Sequence, residues 1–194
     1  NSHGNILNVI LSAHAKFTPE STQRFGTIST SCGLCGKTSI EFIHQRFPAI
    51  ESGWRVRIEE SKLLEMPQRL REAQGNFART GGIHAAAIFD LGGNLIVLRE
   101  DIGRHNAVDK AIGHAFLEGL LPVNKHVLMV SGRSSLEIVQ KALAAGIAII
   151  ASVSAPSTLA VNFARASGQT LIGFLRPPTF NIYSHIERVA MGVY

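Results

Sequence analysis

The chain has 194 residues, 45% of them hydrophobic and 17% charged, and carries a formal charge of +5. That length and apolar content can bury a substantial core, which excludes a disordered or low-complexity polymer. The positive balance suits an anionic partner, but the basic residues are scattered and only two Tyr and one Trp are present, so a nucleic-acid stacking platform is not indicated.

Residues 5–11 alternate apolar and polar side chains as a strand does, and 54–58 repeats that pattern. Met66, Leu70, Ala73 and Phe77 recur at helical spacing, predicting a helix over 67–79 closed by Gly81 and Gly82. Apolar runs at 83–90 and 95–100 flank Leu91-Gly92-Gly93-Asn94 and predict a hairpin. A helix follows over 106–117 with Asn106 as its cap, then a short buried strand at 127–130. Ser134 and Glu137 have capping-box spacing and open a helix to Ala145, ended by Gly146. Strand 147–153, helix 157–166 and strand 171–175 complete the pattern. This alternation predicts parallel pairing with right-handed crossovers, hence a layered α/β domain, taken as one domain over 1–194.

The most apolar stretch, 142–153, is broken by Gly146 and too short to span a bilayer. The opening Asn1-Ser2-His3-Gly4 lacks a charged region followed by an apolar one. The expectation is a soluble cytoplasmic protein with neither membrane nor nucleic acid as partner, and with monomer and homodimer both open.

In an open parallel sheet, ligands bind where loops leave the C-terminal ends of the strands. The loops predicted there are Ser131-Gly132-Arg133-Ser134, Ser154-Ala155-Pro156-Ser157 and Arg176-Pro177-Pro178-Thr179. The first two lead into helix N-termini, which favour anions, and Arg133 and Arg176 add charge-assisted contacts suited to phosphate. Each loop taken alone reads equally well as serine caps and solvated arginines. Several polar loops at one edge point to a ligand site.

Cys32 and Cys35 are the only cysteines, three apart in Ser31-Cys32-Gly33-Leu34-Cys35-Gly36-Lys37. Gly33 and Gly36 leave the sulfurs unshielded, and Lys37 favours thiolate, the form that attacks sulfur and binds metals. Sulfur or redox chemistry, half of a zinc site and a chance spacing all fit. A zinc site would need two further ligands, and no second such pair exists.

Glu100-Asp101-Ile102-Gly103-Arg104-His105-Asn106 sets acids, Arg104 and His105 between a strand and a helix, suiting anion positioning, proton donation or a salt-bridged turn. His84, in Gly81-Gly82-Ile83-His84-Ala85-Ala86, opens a buried strand, where a histidine is more often a hydrogen-bonded core residue than a ligand.

Together these stretches resemble the formate dehydrogenase accessory sulfurtransferase family (FdhD/NarQ). The match runs through the Cys32–Cys35 loop, Thr80 to Ala87, Arg99 to Lys110, Val130 to Ser135, Val139-Gln140-Lys141, Ala155 to Val161 and Gly173-Phe174-Leu175-Arg176. Family members usually carry an N-terminal segment that this sequence lacks. The resemblance implies a three-layer, cytidine-deaminase-like mixed sheet with helices on both faces. It implies sulfane sulfur taken from a cysteine desulfurase as a persulfide, with Cys32 and Cys35 catalytic. That sulfur would be delivered to the bis-molybdopterin guanine dinucleotide of formate dehydrogenase, the apoenzyme being a further partner. It places the pterin nucleotide, with GDP as its surrogate, on Phe174, Leu175, Arg176, Pro177, Pro178 and Thr179, where a glycine more often stands at Pro178. Ser131, Arg133, Ser134, Ser154, Ser157, Thr158, Arg104, His105 and His84 complete the expected cofactor-binding set. Deaminase zinc chemistry is not expected, because Ala86 stands where the glutamate two residues after the histidine would be. A non-catalytic cofactor chaperone and a zinc-binding deaminase-like protein are the alternatives.

Overall fold

The computed structural model describes residues 8, 10–15, 47–51 and 56–192. The chain divides into two units, Asn1–Cys35 and Gly36–Tyr194. In the first, the described residues form one turn, where Ala15 N–H donates to Ser12 O at 3.0 Å. Asn8, Ile10 and Leu11 are not in a strand, so the strand expected at 5–11 is not seen in its described part. The second unit carries the architecture below.

Six strands form its main sheet in the order β3-β2-β4-β5-β6-β7. These are β2 (His84–Asp90), β3 (Leu95–Asp101), β4 (His126–Val130), β5 (Ile149–Ser152), β6 (Thr170–Arg176) and β7 (Thr179–Ser184). The β4, β5 and β6 strands are parallel; β2 is antiparallel to both β3 and β4, and β7 is antiparallel to β6. A small parallel pair joins β1 (Ile58–Glu59) to β8 (Val189–Ala190).

The buried strands separate two cores by simple alternation. Ala86, Ile88, Leu128, Val130 and Ile150 face helices α3 (Arg104–Leu117), α4 (Leu136–Ala144) and α5 (Thr158–Ala166). Ala85, Ala87, Phe89, Val127, Met129 and Ala151 face α1 (Glu60–Ala73), through its Leu63, Met66 and Leu70. The result is a mixed sheet with helices on both faces, because successive side chains on a strand point to opposite sides.

Several expectations need correction. The helix predicted over 67–79 begins earlier and breaks at Gln74, giving α1 and a short α2 (Gly75–Thr80). Pro67 sits inside α1, so it does not start the helix, while Gly81 adopts the left-handed cap conformation (φ 67°) as expected. Asn106 is not the cap of α3: Gly103 is, and Asn106 lies in the first turn with its side chain donating to Asp101 Oδ1 at 3.1 Å. Ser134 and Glu137 form no capping box, since Ser135 is the N-cap and Ser134 is buried in a loop. Of the strand predicted at 54–58, only Ile58 pairs among the described residues, and 52–55 lie outside them. The hairpin partner β7 was not anticipated.

Candidate functional site at the strand ends

The topology brings the predicted loops to one edge. The C-terminal ends of β4, β5 and β6 lie together, and the antiparallel β2 begins there, pairing His84 with Asp101 at the end of β3. The α3 N-terminus, with Arg104 and His105, therefore arrives at the same edge from β3.

Contacts at three places tie this edge together. At one end Ala85 N–H donates to Ser131 Oγ at 2.9 Å, and Ser131 N–H donates to Ala85 O at 3.0 Å. A Cβ on the buried Gly132 would stand 3.2 Å from His84 Nδ1 and 3.6 Å from Arg104 Cβ, so these residues are neighbours. In the middle Ser134 N–H donates to Ala155 O (3.3 Å) while Ser157 N–H donates to Ser134 O (3.0 Å), locking the β4–α4 and β5–α5 loops. At the far end Phe174 N–H donates to Ser154 O (3.2 Å), and Arg176 Nε donates to Val153 O (3.0 Å).

The predicted residues differ in availability. Arg133, Ser157, Thr158, Phe174, Arg176, Pro177, Pro178 and Thr179 are exposed, and His84, Arg104, His105, Ser131 and Ser154 are half-buried. Leu175 is fully buried in the α1-side core, because β6 alternation turns it inward, so it is not open to a ligand. Ser134 is also fully buried, with no partner for its Oγ. Ser157 caps α5 through Ala160 N–H at 3.2 Å. Arg176 to Thr179 is the β6–β7 hairpin turn. Beside it Phe174 holds a left-handed φ of 52°, a conformation unfavourable for a side-chain-bearing residue and concentrated at functional sites. Cys32 and Cys35 lie outside the described residues.

Charge is selectively left open here. The two acids of the 100–106 stretch are used structurally: Glu100 accepts from Asn76 and Phe77 N–H at 3.0 and 2.9 Å, capping α2. Asp101 is held down to a pKa of about 2, chiefly by Lys110, with Gly103 N–H and Asn106 assisting against burial. His105 Nε2 lies 2.8 Å from both Ser135 Oγ and Glu137 Oε2. Burial pushes the His105 pKa below its ordinary value, outweighing the upward pull of Glu137, and Arg104 and Lys141 push the same way. Arg104 Nε is buried without an acceptor, and Arg133 has no hydrogen bond or ion pair among the described residues. An unsatisfied buried donor on Arg104 and an exposed guanidinium on Arg133, both beside Gly132, fit an acceptor-rich, anionic ligand.

Ser135, Glu137 and Gly173 were not identified as site residues from the sequence, and Gly132 was read only as part of its loop. The Ser134–Glu137 spacing was a usable signal, but it concealed the pairing of Glu137 with His105.

A mixed α/β scaffold with anion-ready loops at its parallel strand ends defines the class of protein. The FdhD/NarQ family model matches residues 3–190, and the chain belongs to that family. It is 47% identical over 185 residues to a sulfur carrier protein FdhD of Mycobacterium tuberculosis, covering 95% of this chain and 67% of that one. It is 51% identical over 164 residues to a protein of the same name from Streptomyces avermitilis, covering 84% and 58%. A crystal structure from Desulfotalea psychrophila, described as that of a proposed formate dehydrogenase accessory protein, superposes with a TM-score of 0.68 at 28% identity, over 76% of this chain and 62% of that one. The chain thus spans about two thirds or less of the length of these relatives. Among the described residues no helix is long and apolar enough to cross a membrane.

Proposed function

We propose that the protein is a sulfur carrier for formate dehydrogenase, as its relatives' names suggest, and that it moves sulfane sulfur to the enzyme's molybdenum cofactor. The Cys32 thiolate attacks the outer sulfur of a cysteine desulfurase persulfide. A Cys32 persulfide forms, the donor's S–S bond breaks and the desulfurase thiolate leaves. Cys35 thiolate then attacks Sγ of Cys32, forming a Cys32–Cys35 disulfide and releasing the outer sulfur as hydrosulfide to the client, bis-molybdopterin guanine dinucleotide. The cysteines are oxidised by two electrons as the sulfane sulfur is reduced, so a dithiol reductant must reopen the disulfide.

The strand-end edge serves as the nucleotide cradle. Arg133, Arg104 and Arg176 face the diphosphate, the α4 and α5 N-termini add their dipoles, and Phe174 presents its ring to the base. The observation that carries this reading is the convergence of His84, Arg104, Ser131, Ser154 and Arg176 on one sheet edge. Mass spectrometry after incubation with desulfurase and cysteine tests the sulfur step, with sulfur-mass additions expected on the Cys32–Cys35 peptide. An unmodified peptide under conditions that load another carrier rejects it.

A further inference from the structure

A groove of about 770 Å³ runs between the edge strand β3 and one side of α3. Lys110, Gly113, His114 and Leu117 supply the helix side, at the i, i+3, i+4 and i+7 positions that share one face. Leu98, Arg99 and Glu100 supply the strand side, and Arg104, Arg133 and Arg176 do not line it. Phe116 and Leu117 are 66% and 80% exposed, and Leu98 is only half-buried. Large apolar side chains clustered on a surface mark interaction sites.

The groove carries surplus positive charge. Glu100 is the one carboxylate among its described lining residues, and its two oxygens already accept from Asn76 and Phe77 N–H. Among the described residues Arg99 donates only to Leu98 O, at 2.7 Å, and forms no ion pair. Lys110 pairs with Asp101 and donates to Glu100 O at 3.2 Å, yet its side chain stays half exposed. An acidic partner complements this balance.

The same two cations select the shape of that partner. Leu98 O and Glu100 O lie two residues apart on β3, so they point the same way, and side chains hold both. A strand added to this edge would have to displace them. A helix satisfies its own backbone and needs only a groove for its apolar face. Gly113 leaves room for one: it lies inside α3, and a Cβ there would meet nothing within 4 Å. Glycine destabilises a helix interior relative to alanine, and neither a described neighbour nor a left-handed φ calls for it. Close approach of a second helix would.

We propose that this groove docks an acidic amphipathic helix of a partner protein. Its apolar face covers Leu98, Phe116 and Leu117, its backbone crosses Gly113, and its carboxylates meet Arg99 and Lys110.

The probe is a fluorescein-labelled peptide of about 20 residues, long enough to hold a helix, with Leu at i, i+3, i+4 and i+7 spacing and Glu and Ala elsewhere. Fluorescence anisotropy with the full chain should show saturable binding that weakens with salt. The same peptide with Lys in place of Glu should not bind. Arg99→Glu and Leu117→Glu should each weaken the acidic peptide about tenfold. Gly113→Ala should raise the melting temperature yet weaken the peptide about fivefold, opposite effects that a merely structural role would not produce together. Absence of binding, equal binding of the two peptides, or wild-type affinity in any of the three variants overturns the proposal. So does sedimentation showing a dimer that Leu117→Glu dissociates, since a second copy would then cover the groove.

Discussion

Gly132 lies against His84: a Cβ at position 132 would stand 3.2 Å from His84 Nδ1 and 3.4 Å from Cε1. This close approach at the end of β4 fixes the imidazole beside Arg104. Gly132→Ala should therefore act on binding more than on folding, because the atoms in the way are the end of a side chain that can turn aside. GDP affinity should fall about fivefold, or ~1 kcal/mol, with a melting temperature near that of wild type. Calorimetry showing unchanged affinity would mean that His84 and Arg104 do not shape the cradle.

Cys32→Ala should fold as wild type does and lose sulfur transfer. A thiol between glycines and small residues contributes little packing, so unfolding free energy should change by about 0.5 kcal/mol or less. A urea midpoint far below wild type would make the cysteine structural, and retained sulfur delivery to the dehydrogenase would favour a chaperone whose thiols are idle.

The strands β2 to β6 and the β2–β3 hairpin were legible because each strand there is a short apolar run bounded by turn residues, but the antiparallel pairing of β2 with β4 was not. The α4 and α5 termini followed from Gly146 and Ser157. Hidden from the sequence was every feature that depends on two distant segments. The β7 strand begins within Pro177-Pro178-Thr179, which reads as a loop, and its pairing with β6 exists only in three dimensions. The break at Gln74 runs against unbroken helical spacing from Met66 to Phe77, and Glu100 sustains the second piece by capping it from β3. Binding residues on loops were legible by type, but Leu175 and Ser134 were not separable from their exposed neighbours, because burial follows from strand register and loop packing.

Arg133→Ala and Arg176→Ala should each weaken GDP by about 1.5–3 kcal/mol, the range for a lost charge-assisted hydrogen bond. Arg176 is already oriented by its bond to Val153 O, so less freedom is lost on binding and its removal should cost more. Isothermal titration at low and moderate salt checks both. Loss of affinity in Cys32→Ala, with neither arginine change having an effect, would place the nucleotide elsewhere.

His105 should make stability fall on mild acidification. Its pKa is lowered in the folded protein, so below the ordinary histidine value of 6.5 the unfolded chain takes up a proton that the folded state resists. Above that value both states are neutral at this site, and it contributes no pH dependence. Glu137 opposes the effect, as does the more distant Asp109, while Arg104 and Lys141 reinforce it. The unfolding free energy of wild type should decline between about pH 6.5 and 5, and His105→Gln should flatten that decline. A steeper decline in the variant would mean that the Glu137 contact dominates and the charged form is favoured.

Gly173 holds the β5–α5 loop against the sheet. A Cβ there would come within 2.8 Å of Pro156 Cδ and 3.0 Å of Tyr183 Cε2, with Ser154 O at 3.3 Å. The Pro156 ring cannot swing clear, because it is closed onto a backbone that is bridged to Ser134. Gly173→Ala must therefore push the loop outward, breaking the Phe174 N–H to Ser154 O bond and loosening the Arg176 anchor on Val153. Overpacking of this kind costs about 1–3 kcal/mol, so the urea midpoint should drop measurably. GDP affinity should fall at the same time, because Ser154, Phe174 and Arg176 move together. A variant that is destabilised but binds GDP with wild-type affinity would show that this end of the edge is scaffold, and that the nucleotide contacts only the half built around Ser131, Arg133 and Arg104.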